Sequence, residues 1–149
     1  MDQEQFKKRT KELALAVVRL VESLPRKRSA DVMGRQLLRA ATSVGANYRA
    51  ACRAQSPADM IAKLHIVLEE ADETAYWLEL LSESGFLSGS DAGGVLSGAH
   101  EIAAMTVASP KTIKSRYLRH RPSVETIFSH RFRTLSDADL HLAICNLQS

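Results

Sequence analysis

Residues 56–85 read SPADMIAKLHIVLEEADETAYWLELLSESG, and this stretch decides the fold because it contains one long helix with both of its ends. Ser56 can cap a helix, Pro57 suits the first helical position, and Asp59 favours the positive end of the helix dipole. Gly85 marks the expected C-terminal end of this helix. Apolar or small residues recur between these ends at alternating steps of four and three, which is typical of an amphipathic helix. They are Met60, Leu64, Val67, Ala71, Thr74, Leu78 and Leu81.

Three other segments repeat this spacing. The first helix is predicted to end before Pro25, and its seam is Phe6, Thr10, Leu13, Val17, Leu20 and Leu24. The seam of the second is Met33, Leu37, Ala40, Val44, Asn47, Ala51 and Ala54. The fourth follows a predicted turn, GFLSGSDAGG (85–94), ends near Pro110, and has the seam Val95, Ala99, Ile102 or Ala103, and Thr106. Asn47 and Thr74 are predicted to have a structural role: paired across the bundle, they would be satisfied by hydrogen bonds and would help to fix its register.

Four heptad-spaced helices with short connections predict an all-α fold, an antiparallel up-down-up-down four-helix bundle. No period-two strand pattern is sustained over residues 1–109, which we take as the bundle domain. Residues 110–149 form a basic C-terminal extension that is predicted to be partly helical or mobile. A short helix over about residues 137–146 is expected from a capping box and a hydrophobic staple.

The composition is that of an ordinary globular protein. The 149 residues are 45% hydrophobic and 25% charged, and the net charge is +3. No apolar run is long enough for a membrane span or a signal peptide, so a cytoplasmic location is expected. Cys52 and Cys145 lie far apart without a CxxC pair, which argues against a zinc site or a disulfide framework.

An arginine stripe runs along the second helix. At about 100° per residue, Arg35, Arg39, Arg49 and Arg53 share one narrow face opposite the seam, and Arg26, Lys27 and Arg28 come just before the helix. Three interpretations stay open: a solvated face, a track for phosphates, or pairing with acids of a neighbouring chain. Candidate acids follow on the third helix: Glu69, Glu70, Asp72, Glu73 and Glu83.

No motif supports catalysis, a cofactor or a metal. A carboxylate-bridged metal in a bundle needs repeated Glu-x-x-His motifs, whereas the residue three after Glu70 is Glu73. There is no GxSxG and no phosphate-binding loop. The chain is therefore predicted not to be an enzyme. Apolar residues outside the seam of the third helix favour self-association; they are Ile61, Ile66, Leu68 and Trp77.

Two motifs carry a family resemblance over roughly residues 4–108. They are QLLRAATSVGAN (36–47) and Glu70-x-x-Glu73-x-x-Tyr76-Trp77-Leu78 within residues 63–85. The chain resembles the bundle proteins encoded in intervening sequences of bacterial 23S rRNA genes, and is similar to the accessory variability determinant of diversity-generating retroelements. The positions that match the motifs are Arg39, Ser43, Asn47, Glu70, Glu73, Tyr76 and Trp77.

The resemblance implies an antiparallel bundle that assembles into a homopentamer. It also implies nucleic-acid binding by a basic surface, and a reverse transcriptase or a ribosome-related protein as a partner. We therefore predict a non-enzymatic, self-associating bundle that binds RNA or RNA/DNA through phosphate contacts. The predicted contacts are Arg35, Arg39, Arg49 and Arg53, assisted by Arg26, Lys27 and Arg28. The alternative is a protein-interaction scaffold or accessory subunit that does not bind nucleic acid directly.

Overall fold

The structure is a computed structural model that describes residues 2–119, with side chains for residues 2–108. It contains four helices: α1 (Gln3–Glu22), α2 (Arg28–Ala51), α3 (Pro57–Glu83) and α4 (Gly89–Arg119). No strand occurs within residues 2–119, and the all-α four-helix prediction is confirmed. No helix in this part of the chain is long and apolar enough to cross a membrane. The helix expected over residues 137–146 and Cys145 lie outside the described residues.

The ends of α3 follow the local chemistry of the sequence. Ser56 Oγ accepts a hydrogen bond from the Asp59 N–H at 3.1 Å, so the predicted cap is confirmed. At the other end Gly85 has a φ of 71°, a left-handed conformation that glycine adopts without steric cost. The Phe86 N–H then donates to the Leu81 carbonyl at 2.9 Å, which closes the last turn.

The seams meet in two clusters of buried side chains. The first contains Phe6, Leu13, Val44, Tyr48, Ala51, Leu64, Val67, Ala71, Ala75, Ala99, Ile102 and Ala103. The second contains Val17, Leu20, Leu37, Ala41, Leu78, Leu81, Leu87 and Ala92. Val95 and Leu96 pack against both clusters and join them. All four helices therefore share one continuous apolar interior.

Contacts between α1 and α2 pair opposite ends of the two helices. Phe6, near the start of α1, stacks on Tyr48, near the end of α2, with ring centroids 4.0 Å apart. Gly34, near the start of α2, lies against Val21 and Leu24 at the other end of α1. This is the order of contacts expected of antiparallel neighbours. The predicted seam omits Tyr48, although its place four residues after a buried valine fits the same spacing.

The bounds of α4 differ from the prediction at both ends. The helix begins at Gly89, inside the segment predicted as a turn, because the Ser88 hydroxyl accepts the Asp91 N–H at 3.2 Å and caps the first turn. It then continues through Pro110 to Arg119 instead of ending near Pro110. A proline removes one helical hydrogen bond, but the bonds on either side of it can still form.

The two polar seam residues form their hydrogen bonds within their own helices. Asn47 Nδ2 donates to the Ser43 carbonyl at 3.0 Å, and Thr74 Oγ1 donates to the Glu70 carbonyl at 2.7 Å. Both side chains bond to the backbone of their own helix, one turn earlier, and not across the bundle. This is the local alternative that short polar side chains have in a helix.

Candidate nucleic-acid interface

All seven basic residues predicted to bind nucleic acid are exposed, but they do not form one continuous stripe. Arg28, Arg35, Arg39 and Arg49 lie on α2, whereas Arg53 lies in the turn after its last residue, Ala51. The helical-wheel angle predicted for Arg53 therefore does not apply. Arg26 and Lys27 belong to the turn between α1 and α2.

Arg39 is held by acids of its own chain. One guanidinium nitrogen lies 3.4 Å from a Glu70 carboxylate oxygen, and the other donates to Glu73. The Trp77 indole N–H also donates to Glu73, at 3.0 Å. The hydrogen bond from Arg39, and after it the one from Trp77, lowers the pKa of the Glu73 carboxyl. The charge of Arg39 is thus already balanced within the chain.

Most of the family-motif residues converge at this cluster. The rings of Tyr76 and Trp77 meet edge to face with centroids 5.1 Å apart, and Tyr76 is 54% exposed. Trp77 packs on the second core cluster while its indole supports Glu73. The motif residues therefore form one network that joins α2 to α3. In this network Arg39 pairs with acids of its own chain, Glu70 and Glu73.

Arg35 has a weaker partner than Arg39. Its guanidinium lies 2.7 Å from Asp31, one turn earlier on α2, and both side chains are more than 60% exposed. An exposed pair of this kind contributes little because water screens it and both side chains lose freedom. Arg35 can therefore exchange Asp31 for another anion at small cost.

Four basic side chains line a groove between the end of α1 and the start of α2. This basic groove has a volume of about 360 Å³. Its apolar lining is Val21, Leu24, Pro25, Ala30 and Gly34, and its charged lining is Arg26, Lys27, Arg28, Asp31 and Arg35. Four cations and one carboxylate give this lining a net charge of +3.

The cations of the basic groove differ in the partners that their side chains have. Arg26 and Arg28 form no ion pair within the part of the chain that has described side chains. The Lys27 ammonium lies 5.3 Å from the centre of the Phe86 ring. No side chain caps the first turn of α2, so the positive end of the helix dipole adds to the cations.

Arg49 and Arg53 form a second, separate basic pair at the opposite end of α2. The distance from Arg28 to Arg49 along the helix is roughly 30 Å at 1.5 Å per residue. Neither side chain of the pair has an ion-pair partner among residues 2–108. Next to them, burial raises the pKa of Tyr48, and Cys52 is a half-buried free thiol.

A second groove, of about 340 Å³, lies between α1 and α4, and its charges partly cancel. Arg9 binds Glu101 across it, and Arg19 and Asp91 line its other end. Over the described residues, no group of three or more histidine, cysteine, aspartate or glutamate side chains is placed to hold a metal ion. Of these two grooves, the basic groove therefore carries the greater positive charge.

Comparison with known proteins agrees with the four-helix architecture. A family model described as 23S rRNA-intervening sequence protein matches residues 2–108. A crystal structure from Bacteroides thetaiotaomicron, described as a protein with unknown function from the S23 ribosomal protein family, is 39% identical to this chain. The match covers 71% of this chain and 98% of the other, with a TM-score of 0.67. Among curated proteins, none matches.

Proposed function

The chain belongs to the family of 23S rRNA-intervening sequence proteins, and from this premise we propose that it is a non-enzymatic protein that binds RNA or RNA/DNA. The basic groove is the main contact, through Arg26, Lys27, Arg28 and Arg35. Arg49 and Arg53 add a second contact at the far end of α2. We no longer count Arg39 among the nucleic-acid contacts, because Glu70 and Glu73 already balance its charge. The cytoplasmic location predicted from the sequence remains part of this proposal.

The observation that carries the proposal is a net charge of +3 on one small groove, with two arginines unpaired among the described side chains. A protein that neutralises phosphates releases counterions, so its affinity falls steeply as salt rises. Contacts of this kind position a nucleic acid but read little sequence. We therefore expect salt-dependent binding with weak preference among sequences.

The test measures the affinity for a labelled RNA oligonucleotide by fluorescence anisotropy over a range of salt concentrations. Arg26→Gln with Arg28→Gln should weaken binding and reduce the slope of log affinity against log salt by about 1.5, because two phosphate contacts are lost. Lys8→Gln with Lys11→Gln removes the same charge from the exposed face of α1 and is the matched control. Equal affinities and slopes for the two double variants would reject the groove as the contact.

A second candidate function, a self-associating scaffold, is favoured by the opposite charges of two outward faces. The outward face of α3 carries exposed acids, whereas that of α2 carries exposed arginines; the acids are Glu69, Asp72, Glu79 and Glu83. Ile66 and Tyr76 add exposed apolar surface on α3. We propose that copies of the chain associate through these faces, as a pentamer if the family resemblance extends to assembly. A reverse transcriptase or a ribosome-related protein remains the predicted further partner.

Light scattering tests the proposed association. Glu69→Lys with Asp72→Lys should lower the molar mass of the assembly if acids of one copy meet arginines of the next. The Lys8→Gln and Lys11→Gln variant should leave the mass unchanged. A monomeric parent protein would contradict the association. An oligomer with no affinity for nucleic acid at physiological salt would favour the scaffold over nucleic-acid binding.

A further inference from the structure

We propose that the basic groove recognises the terminal phosphate of a nucleic-acid strand, a phosphomonoester at the 5′ or 3′ end, in preference to the phosphodiesters of the strand interior. This inference rests on the proposed function and specifies which part of the nucleic acid enters the groove. Three properties of the groove support it: its size, its charge and its apolar floor.

The size of the groove suits one terminal nucleotide. Its volume of about 360 Å³ is near the lower limit of small-molecule sites, which hold roughly 300–1,000 Å³. The end of α1 borders it on one side, and the first two turns of α2 on the other. The interior of a strand would have to leave such a groove in two directions, whereas a strand end leaves in one.

The charge of the groove suits a monoester better than a diester. A phosphomonoester carries a charge of about −1.5 to −2 at pH 7, and each phosphodiester carries about −1. The lining carries a net charge of +3, and the Arg26 and Arg28 guanidinium groups form no ion pair with any side chain of residues 2–108. An arginine can donate two parallel hydrogen bonds to phosphate oxygens, and a terminal phosphate offers three oxygens that are not esterified.

The apolar floor provides a surface for the sugar or base attached to that phosphate. Val21, Leu24 and Pro25 line the groove together with the cations, and we call these three residues its apolar floor. The floor depends on Gly34, since a Cβ at this position would meet Leu24 Cδ1 at 2.8 Å. A methyl group there displaces the Leu24 side chain and changes the shape of the floor without changing any charge.

The experiment compares four RNA oligonucleotides of one sequence, each with an internal fluorophore: 5′-phosphorylated, 3′-phosphorylated, unphosphorylated and circular. We expect one of the two phosphorylated forms to bind at least roughly tenfold more tightly than the circular form, as one charge-assisted hydrogen bond corresponds to about this factor. The phosphorylated oligonucleotide that binds more tightly identifies which end of the strand is recognised. The unphosphorylated form should bind like the circular form.

Two pairs of variants test whether the groove is responsible. Arg26→Gln with Arg28→Gln should abolish the preference for a terminal phosphate, whereas Arg49→Gln with Arg53→Gln should preserve it while weakening all four forms. Gly34→Ala should reduce the preference because it displaces Leu24. Gly45→Ala is its control on the same helix, since the nearest atom to a Cβ there is Thr10 Oγ1, at an ordinary 3.5 Å.

The outcomes separate this inference from the proposed function. Equal affinity of the parent protein for the phosphorylated and circular forms overturns end recognition and leaves general nucleic-acid binding intact. Absence of binding to all four forms overturns the proposed function itself. A preference that survives Arg26→Gln with Arg28→Gln assigns end recognition to another surface and rejects the groove.

Discussion

At the scale of single residues, Arg39 differs most from what its position in the sequence suggests. Arg35, Arg39 and Arg49 occupy similar angles on one helix, so the sequence predicts that all three are exposed, and they are. The helical wheel does not fix the register between α2 and α3. That register brings Glu70 and Glu73 to Arg39 and to no other arginine of the stripe. The pairing therefore requires the tertiary structure.

Because its charge is balanced, Arg39 is expected to contribute little to nucleic-acid binding. Arg39→Gln should reduce RNA affinity less than Arg26→Gln does, although the two changes remove the same charge. Anisotropy titrations of both variants at one salt concentration compare them directly. A larger loss for Arg39→Gln would mean that the arginine leaves its two glutamates when RNA binds.

Glu73 should contribute to the dependence of stability on acid. Its pKa is lowered in the folded protein from an ordinary value of 4.5, so the stabilisation is complete above that value and is lost as the pH falls through the lowered pKa. Urea unfolding between about pH 6 and pH 3 should therefore show a shallower acid loss for Glu73→Gln than for the parent. Glu69→Gln is the control, an exposed glutamate on the same helix. Identical acid slopes for Glu73→Gln and the parent would contradict the role of the network.

At the scale of elements, the sequence predicts α3 better than α4. The cap at Ser56 and the glycine at 85 act through the backbone of their own turns, so local patterns are sufficient there. The start of α4 lies in a glycine- and serine-rich segment that would prefer a turn in isolation. The burial of Leu87 and Ala92 in the second core cluster holds that segment against the bundle. Such an anchor is visible only once the other helices are in place.

Two glycines should respond to alanine in opposite directions. Gly85→Ala should destabilise the fold by about 1 kcal/mol, because an alanine resists the left-handed conformation at that position. Gly93→Ala should stabilise it by up to about 1 kcal/mol, since this glycine lies inside α4 and a Cβ there meets nothing within 4 Å. Chemical denaturation of both variants measures the two effects. Destabilisation by Gly93→Ala would argue against a helix through residues 89–94.

At the scale of the whole molecule, the two core clusters form one continuous apolar interior that all four helices share. The seam spacing predicts most of the buried residues, because any helix with this period must cover its apolar side. Composition could not predict where the charges gather, because a total of +3 says nothing about position. The basic groove exists because a short turn brings the ends of α1 and α2 together. Of the candidate site, the sequence therefore predicts the residues but not their arrangement.

A destabilising change in one core cluster should lower the stability of the whole bundle. Leu64 is fully buried in the first cluster, and Leu64→Ala should lower the free energy of unfolding by roughly 2–5 kcal/mol. Trp77, the only tryptophan of the chain, packs on the second cluster and reports on it by fluorescence. The fluorescence and circular dichroism midpoints should shift together. Separate midpoints would mean that the two clusters unfold independently.

The turn between α1 and α2 also makes the molecule open to one kind of cleavage. Arg26, Lys27 and Arg28 are consecutive, exposed residues, and proteases of trypsin specificity cut after such side chains. Brief digestion should therefore sever the connection between the first two helices early. An occupant of the basic groove would shield the same bonds. The rate of cleavage at these bonds then becomes a label-free measure of whether the groove is filled, and it applies equally to the protein in a cell extract.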